Sequence, residues 1–268
     1  MDTVFSGEPH ESGSRTAAGA ASGMTHWIVF VTFVVPLFRP LRPPAWPSSA
    51  PSLHSPVPTP GAPAMQVAVL TFQAFNELDS FVAAALLNRL SARGVQAWIV
   101  SPTQRVVSKN GVAIDRQKPL AFANIADAVI IGSGMASEVV AADPHILATL
   151  KLDPARQLIA SQCSGALLLA ALGLVSPGQP VCADHMTAPG LAAHGFRVLE
   201  TPFHAAGNVA SAGGCLSAVY LAAWIAARAL GPESAREMIH GAAPVGEKDA
   251  WVERTLAVIA PFLTPVTA

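Results

Sequence analysis

Leu158-Ile-Ala-Ser-Gln-Cys-Ser-Gly-Ala-Leu-Leu-Leu-Ala-Ala-Leu-Gly-Leu174 decides the fold. A short continuous apolar run is followed by one cysteine, two small residues and a second, longer apolar stretch. Such a pattern predicts a buried strand, a sharp turn and a buried helix, the form of a nucleophile elbow that lifts one side chain above a parallel sheet. Cys163 occupies the turn. The amino end of the following helix is expected to favour its thiolate and lower its pKa. A buried, inert thiol is the competing reading, because free cysteines are among the most buried residues.

Outward from this stretch, short apolar runs alternate with amphipathic ones, which predicts repeated βα units around a mainly parallel sheet. Val67–Phe72, Gln96–Ser101, Asp127–Ile131 and Gln157–Ser161 are the expected strands. Arg105–Ile114, broken by Asn110-Gly111, is an expected hairpin. Further on, Phe196–Leu199 and Asn208–Ser211 read as extended. Leu78–Arg93 has helical spacing, with Leu78, Val82, Ala85, Leu86 and Leu90 on one side and Gly94 as its stop. A long helix is expected from about Cys215 to Leu230, then two more helical stretches, and no internal repeat is visible.

Ligands of an open parallel sheet bind beyond the carboxyl ends of its strands. Three expected strands end in suitable residues there: Asn76-Glu77-Leu78-Asp79, Gly132-Ser133-Gly134, and Cys163. The glycines are explained by tight βα turns. Either Glu77 or Asp79 is placed to face the thiol, and either also fits an ordinary acid at a helix start. A protonated carboxyl beside sulfur would donate a hydrogen bond and move protons. His185 and His204 fall in loop-like contexts, the remaining later histidines in or beside helices; a Cys–His pair would be the usual activating arrangement. HExxH, Cys/His metal spacing, GxGxxG and Walker loops are all lacking, so neither metal nor nucleotide cofactor is implied.

Composition narrows the function classes. Hydrophobic residues at 51% against 12% charged predict a sizeable core. A net charge of −1 without basic runs gives no footprint for nucleic acid or an anionic membrane, leaving a small-molecule partner. Three cysteines without CxxC spacing fit a reducing, cytoplasmic setting. Residues 1–64 hold 11 of the 23 prolines, with much Ser and Ala, and resist regular structure. Their apolar run Trp27–Phe38 is too short to span a bilayer and contains Pro36. It also lacks the flanks of a signal peptide. Residues 1–64 are thus expected to be a disordered or mis-called extension, with translation starting at Met65, and 65–268 to be the domain.

Four segments together resemble the ThiJ/PfpI superfamily, the class I glutamine-amidotransferase-like group that includes the parkinsonism-associated deglycase. They are Phe75-Asn-Glu-Leu-Asp79, Asp127-Ala-Val-Ile-Ile-Gly-Ser-Gly134, the stretch from Gln162 to Leu174, and Gly207-Asn-Val-Ala-Ser-Ala-Gly-Gly214. The resemblance covers about Met65–Leu230 and implies a three-layer αβα sandwich with a flavodoxin-like sheet, and a homodimer. The Cys-Ser-Gly elbow and late Ala-Gly-Gly are most similar to isonitrile hydratases and to the sensor halves of AraC-type regulators. By that resemblance Cys163 attacks the terminal carbon of an isonitrile and Asp79 shuttles protons. Water then releases an N-substituted formamide, with backbone amides of Gly134 and Ser164 near the developing charge. Ser80-Phe81 departs from the hydratase pattern, which has Gly-Pro shortly downstream, so the pocket is expected to differ. Ser164 stands where peptidase-like members carry His, which argues against proteolysis. The alternatives are a ligand- or redox-sensing domain and a glyoxalase- or deglycase-like stress protein. The residues after the long helix are few and not basic, so a DNA-binding region is not expected.

Overall fold

The strand expected beneath Cys163 forms at Leu158–Gln162 in a computed structural model that describes residues 65–263. The expectations for residues 1–64 lie outside the described residues. The first half of the domain runs β1 (Met65–Leu70), α1 (Glu77–Asn88), β2 (Val95–Ser101), β3 (Arg105–Val107), β4 (Ala113–Asp115), β5 (Lys118–Pro119) and β6 (Ala128–Ile131). It continues through α2 (Ser137–Ala142), α3 (Pro144–Thr149), β7 (Leu158–Gln162), α4 (Ala166–Ala171), β8 (Pro180–Val181), α5 (Ala188–Ala193) and β9 (Arg197–Val198). Then come β10 (Phe203–Ala206), β11 (Val209–Ala212), α6 (Ala218–Leu230), α7 (Pro232–Ala242) and α8 (Lys248–Ile259).

Seven strands pair in the order β10-β11-β7-β6-β1-β2-β5, every neighbour parallel except β10 with β11. This is the mainly parallel, flavodoxin-like sheet the sequence implied. Both faces are covered, which is why the central strands are apolar without alternation. Val67, Val69, Ala128 and Ile130 face a core shared with α1, α6, α7 and α8. Ala68, Leu70, Val129 and Ile131 face a second core, closed by Val140 of α2, Ile146 of α3 and Leu168 and Leu169 of α4. Each such Leu or Ile removed from water contributes roughly 1.5–3 kcal/mol, so two full cores hold the strand ends in place.

The inner face of α1 differs from the expected one. Leu78 is 47% exposed and Ala85 faces outward, whereas Asp79, Ser80, Ala83, Ala84, Leu86 and Leu87 are buried. The buried stripe is rotated by one position. Small residues at 80, 83 and 84 let α1 sit close to the sheet and to α6, and that rotation carries Asp79 inward. The helix also ends earlier, at Asn88, before a 3₁₀ turn (Ser91–Arg93) that Gly94 stops at φ 84°.

Two other readings change. Phe196–Leu199 contributes only Arg197–Val198, which pairs with Pro180–Val181 outside the main sheet. His204 is not in a loop but on β10, packed edge-to-face against Phe262 with ring centroids 5.2 Å apart. No helix among the described residues is long and apolar enough to cross a membrane.

Candidate active site

The loops after β1, β6 and β7 meet at the carboxyl edge of the sheet, and β11 brings in a fourth. Cys163 follows β7 directly and holds φ at 49°, a left-handed conformation unfavourable for a residue with a Cβ. Holding it there costs of order 1–3 kcal/mol, and such strain clusters at functional sites. A 3₁₀ turn (Cys163–Gly165) and the short α4 follow. Phe75 knits the first loop to two others, through isolated bridges to Ser108 and Gly134.

The glycines here serve close approach rather than left-handed turns. None of Gly132, Gly134 and Gly165 has positive φ. A Cβ on Gly132 would lie 2.6 Å from the Leu70 carbonyl oxygen, and one on Gly165 would lie 2.5 Å from that of Ile131. Bare backbone lets each loop press onto the end of the neighbouring strand, which draws Asp79, Ser133 and Cys163 together.

Asp79 is wholly buried. Ser133 Oγ donates to its Oδ2, while Oδ1 has no hydrogen-bond partner in the protein. One carboxylate oxygen and the Sγ atoms of Cys163 and Cys215 all lie within 4.8 Å of one another. Asn76, the cap of α1, accepts from the Leu78 amide and donates from Nδ2 to Cys215 Sγ at 2.9 Å. Gln162 Nε2 reaches Cys163 Sγ at 3.7 Å and donates to the Gly214 carbonyl at 2.7 Å, tying the elbow to the loop that carries Cys215.

Burial pushes the Asp79 carboxyl above its ordinary range, against the opposing pull of Ser133, the two thiols and Lys109. Burial also pushes the Cys163 thiol up, and the Asp79 charge adds to it. The expected lowering by a helix end does not prevail, because α4 has only six residues and desolvation of a nearly enclosed sulfur is the larger effect. The Asp79 charge thus disfavours the Cys163 thiolate, while the protonated thiol supports the carboxylate by hydrogen bonding. Two thiols and a carboxylate are also a donor set that a thiophilic ion accepts. Drawn from positions 79, 163 and 215, it shows no local spacing in the sequence.

The elbow opens into a cleft of about 570 Å³. Met135, Leu167 and Met186 give it apolar walls, with Lys109, Glu138 and Asp184 among its polar lining. Ser137 Oγ and Ser164 Oγ lie 2.8 Å apart, and the Gly134 amide donates to Ser137 Oγ at 3.1 Å. His185 lines the same cleft but is exposed and makes no hydrogen bond to Cys163. Glu77 does not face the thiol: it accepts from Ser108 Oγ at 2.5 Å and Asn110 Nδ2 at 2.9 Å, contacts that hold its pKa low. A helix positions residues 77 and 79 on different sides, so only one acid can point inward. The structure thus brings Asp79, Gly134, Cys163 and Ser164 together and leaves Glu77 outside. Sequence reading did not single out Cys215, Asn76 or Ser133, although Asn76 and Ser133 fall inside the quoted segments.

A flavodoxin-like sandwich with a cysteine on a strained strand-to-helix elbow and a buried carboxyl beside it defines a class of cysteine-centred α/β proteins. The model of the DJ-1/PfpI family matches residues 65–228, and the chain belongs to that family. Among solved structures, a DJ-1 superfamily protein of Salmonella typhimurium, crystallised as a cysteine-to-alanine mutant, is 25% identical with a TM-score of 0.58. That match covers 67% of this chain and 99% of the other. DJ-1beta of Drosophila melanogaster is 21% identical with a TM-score of 0.59, over 67% of this chain and 97% of that one. Oxidised DJ-1 of Toxoplasma gondii is 22% identical, TM-score 0.57, over 67% and 98%. No curated protein sequence matches the chain.

Proposed function

We propose that the chain is a cysteine-dependent enzyme acting on a small electrophilic carbon, and that it hydrates isonitriles. The observation that carries this reading is the buried Asp79 carboxyl, within 4.8 Å of Cys163 and with no histidine hydrogen-bonded to the thiol. A proton carrier of that kind suits a substrate whose carbon must itself be protonated. Cys163 sulfur attacks the terminal isonitrile carbon, and the thiol's proton is delivered through Asp79 to that carbon, giving a thioimidate. Water adds to the same carbon with one of its protons passing to nitrogen, the C–S bond then breaks, the remaining hydroxyl proton returns to sulfur through Asp79, and the N-substituted formamide leaves. The cleft walls of Met135, Leu167 and Met186 suit an apolar substituent on nitrogen.

The test is to incubate the full chain with cyclohexyl isocyanide and, separately, with methylglyoxal. The expected result is N-cyclohexylformamide from the first, with formation abolished in Cys163→Ala. If methylglyoxal alone is consumed in a Cys163-dependent way, the glyoxalase-like reading replaces this one. If neither compound is consumed, or Cys163→Ala consumes them equally well, the enzymatic reading fails.

A further inference from the structure

We infer that Cys215 is a resolving thiol for Cys163, so that oxidation of the elbow cysteine by a hydroperoxide ends in a reversible Cys163–Cys215 disulfide. The inference goes beyond the hydratase reading and holds whether or not an isonitrile is turned over.

The two sulfurs lie within 4.8 Å of each other with a carboxylate oxygen in the same triangle. A disulfide needs about 2.05 Å, and one staggered step of χ1 swings a Cys sulfur by about 3 Å, which is the scale of the gap between the two sulfurs. A side-chain amide ties the two cysteine-bearing segments together. Gln162, next to Cys163, donates to the carbonyls of Gly214 and of Cys215, at 2.7 and 3.4 Å. Cys215 is only partly buried and opens onto the cleft, and the Asn76 Nδ2 donation at 2.9 Å opposes the burial and the Asp79 charge that push its thiol up. Cys182 is the internal contrast: it is buried, and its side-chain neighbour is Thr201 Oγ1 at 3.5 Å rather than a thiol.

The chemistry balances with a hydroperoxide as the oxidant. Cys163 sulfur attacks the distal peroxide oxygen, the O–O bond breaks, and the alcohol or water leaves with the thiol's proton, giving a sulfenic acid. Cys215 sulfur then attacks the Cys163 sulfur. The S–S bond forms, the S–O bond breaks, and hydroxide leaves as water with the Cys215 proton relayed by Asp79. Each thiol has given up one electron, and the peroxide has taken both.

The full chain is treated with hydrogen peroxide under a metal chelator, blocked with iodoacetamide and mapped by mass spectrometry without reduction. The expected product is a Cys163–Cys215 cross-linked peptide within one chain, lost on treatment with dithiothreitol. Cys215→Ser is expected to accumulate sulfinic acid at Cys163 that dithiothreitol does not reverse, while Cys182→Ser behaves as the unaltered chain. Near-identical circular dichroism of the Cys215→Ser variant checks that the fold is retained. Three results overturn the inference: sulfinic acid at Cys163 with Cys215 still alkylatable in the unaltered chain, a cross-link between chains, or Cys163 untouched at peroxide levels that oxidise a free thiol. Because every readout is a mass, failure of the isonitrile assay and failure of this inference are separate outcomes.

Discussion

Asp79→Asn is expected to lower turnover of the proposed isonitrile substrate by about 10²–10⁴, the usual contribution of a positioned acid–base group, while the fold becomes more stable. The two effects come from one cause. A carboxyl whose pKa is raised in the folded state ionises more readily in the unfolded chain, so it adds no penalty at acid pH. It destabilises the fold progressively as pH climbs from the ordinary value of 3.8 through the raised one. An amide at this position removes that penalty. The gain at neutral pH is on the order of 1 kcal/mol, or about 2–4 °C in Tm for a domain of this size, and it should vanish at acid pH. Removing the Asp79 charge also makes Cys163 easier to ionise, since that charge helps to hold the thiol up. The alkylation profile of Cys163 with iodoacetamide should therefore move to lower pH in the same variant that has lost turnover. Thermal melts at two pH values and an alkylation series check both arms. A variant with lower Tm and slower alkylation would mean that the carboxylate is stabilising, contrary to the burial argument.

That combination follows from a detail of α1 that periodicity did not show. Apolar spacing placed Leu78 and Ala85 on the inner face, yet the helix buries Asp79, Ala83 and Ala84 instead. Counting apolar residues favours the large ones, whereas the close contact of α1 with the sheet and α6 selects small ones and brings a polar side chain in with them. The strands were easier to read. Val67–Leu70, Ala128–Ile131 and Leu158–Ala160 are apolar on both faces because both faces are covered, and no other local structure accounts for such short runs flanked by turns. β10 was not expected, since Phe203-His-Ala-Ala206 has no pattern of its own and is held as a strand by pairing with β11. Cys163 and Asp79 announced themselves by lying at strand ends. Cys215 did not: its importance depends on distance to two residues far away in the chain, which spacing does not encode.

Gly165→Ala is expected to destabilise the domain by about 3 kcal/mol, near the upper end for an overpacked core position, and to disable the site even where the chain still folds. Gly165 has an ordinary helical φ of −58°, so backbone preference alone would favour alanine there. Space decides the opposite. The added Cβ would lie 2.5 Å from the Ile131 carbonyl oxygen and 2.8 Å from that of Gly132. Both partners are backbone at the end of a central strand, and neither can swing aside as a side chain tip would. Relief requires the elbow to rise from β6. Cys163 then loses its place beside Asp79, and Gly132 carries the shift to Ser133, whose hydroxyl holds that carboxyl. Chemical denaturation and Cys163 alkylation on the same sample check the claim. Lower stability is expected together with an alkylation profile moved toward that of an ordinary thiol, since a lifted elbow is hydrated and farther from the Asp79 charge. An unchanged midpoint and profile would show that β6 and the elbow yield without cost, and that the glycine there is incidental.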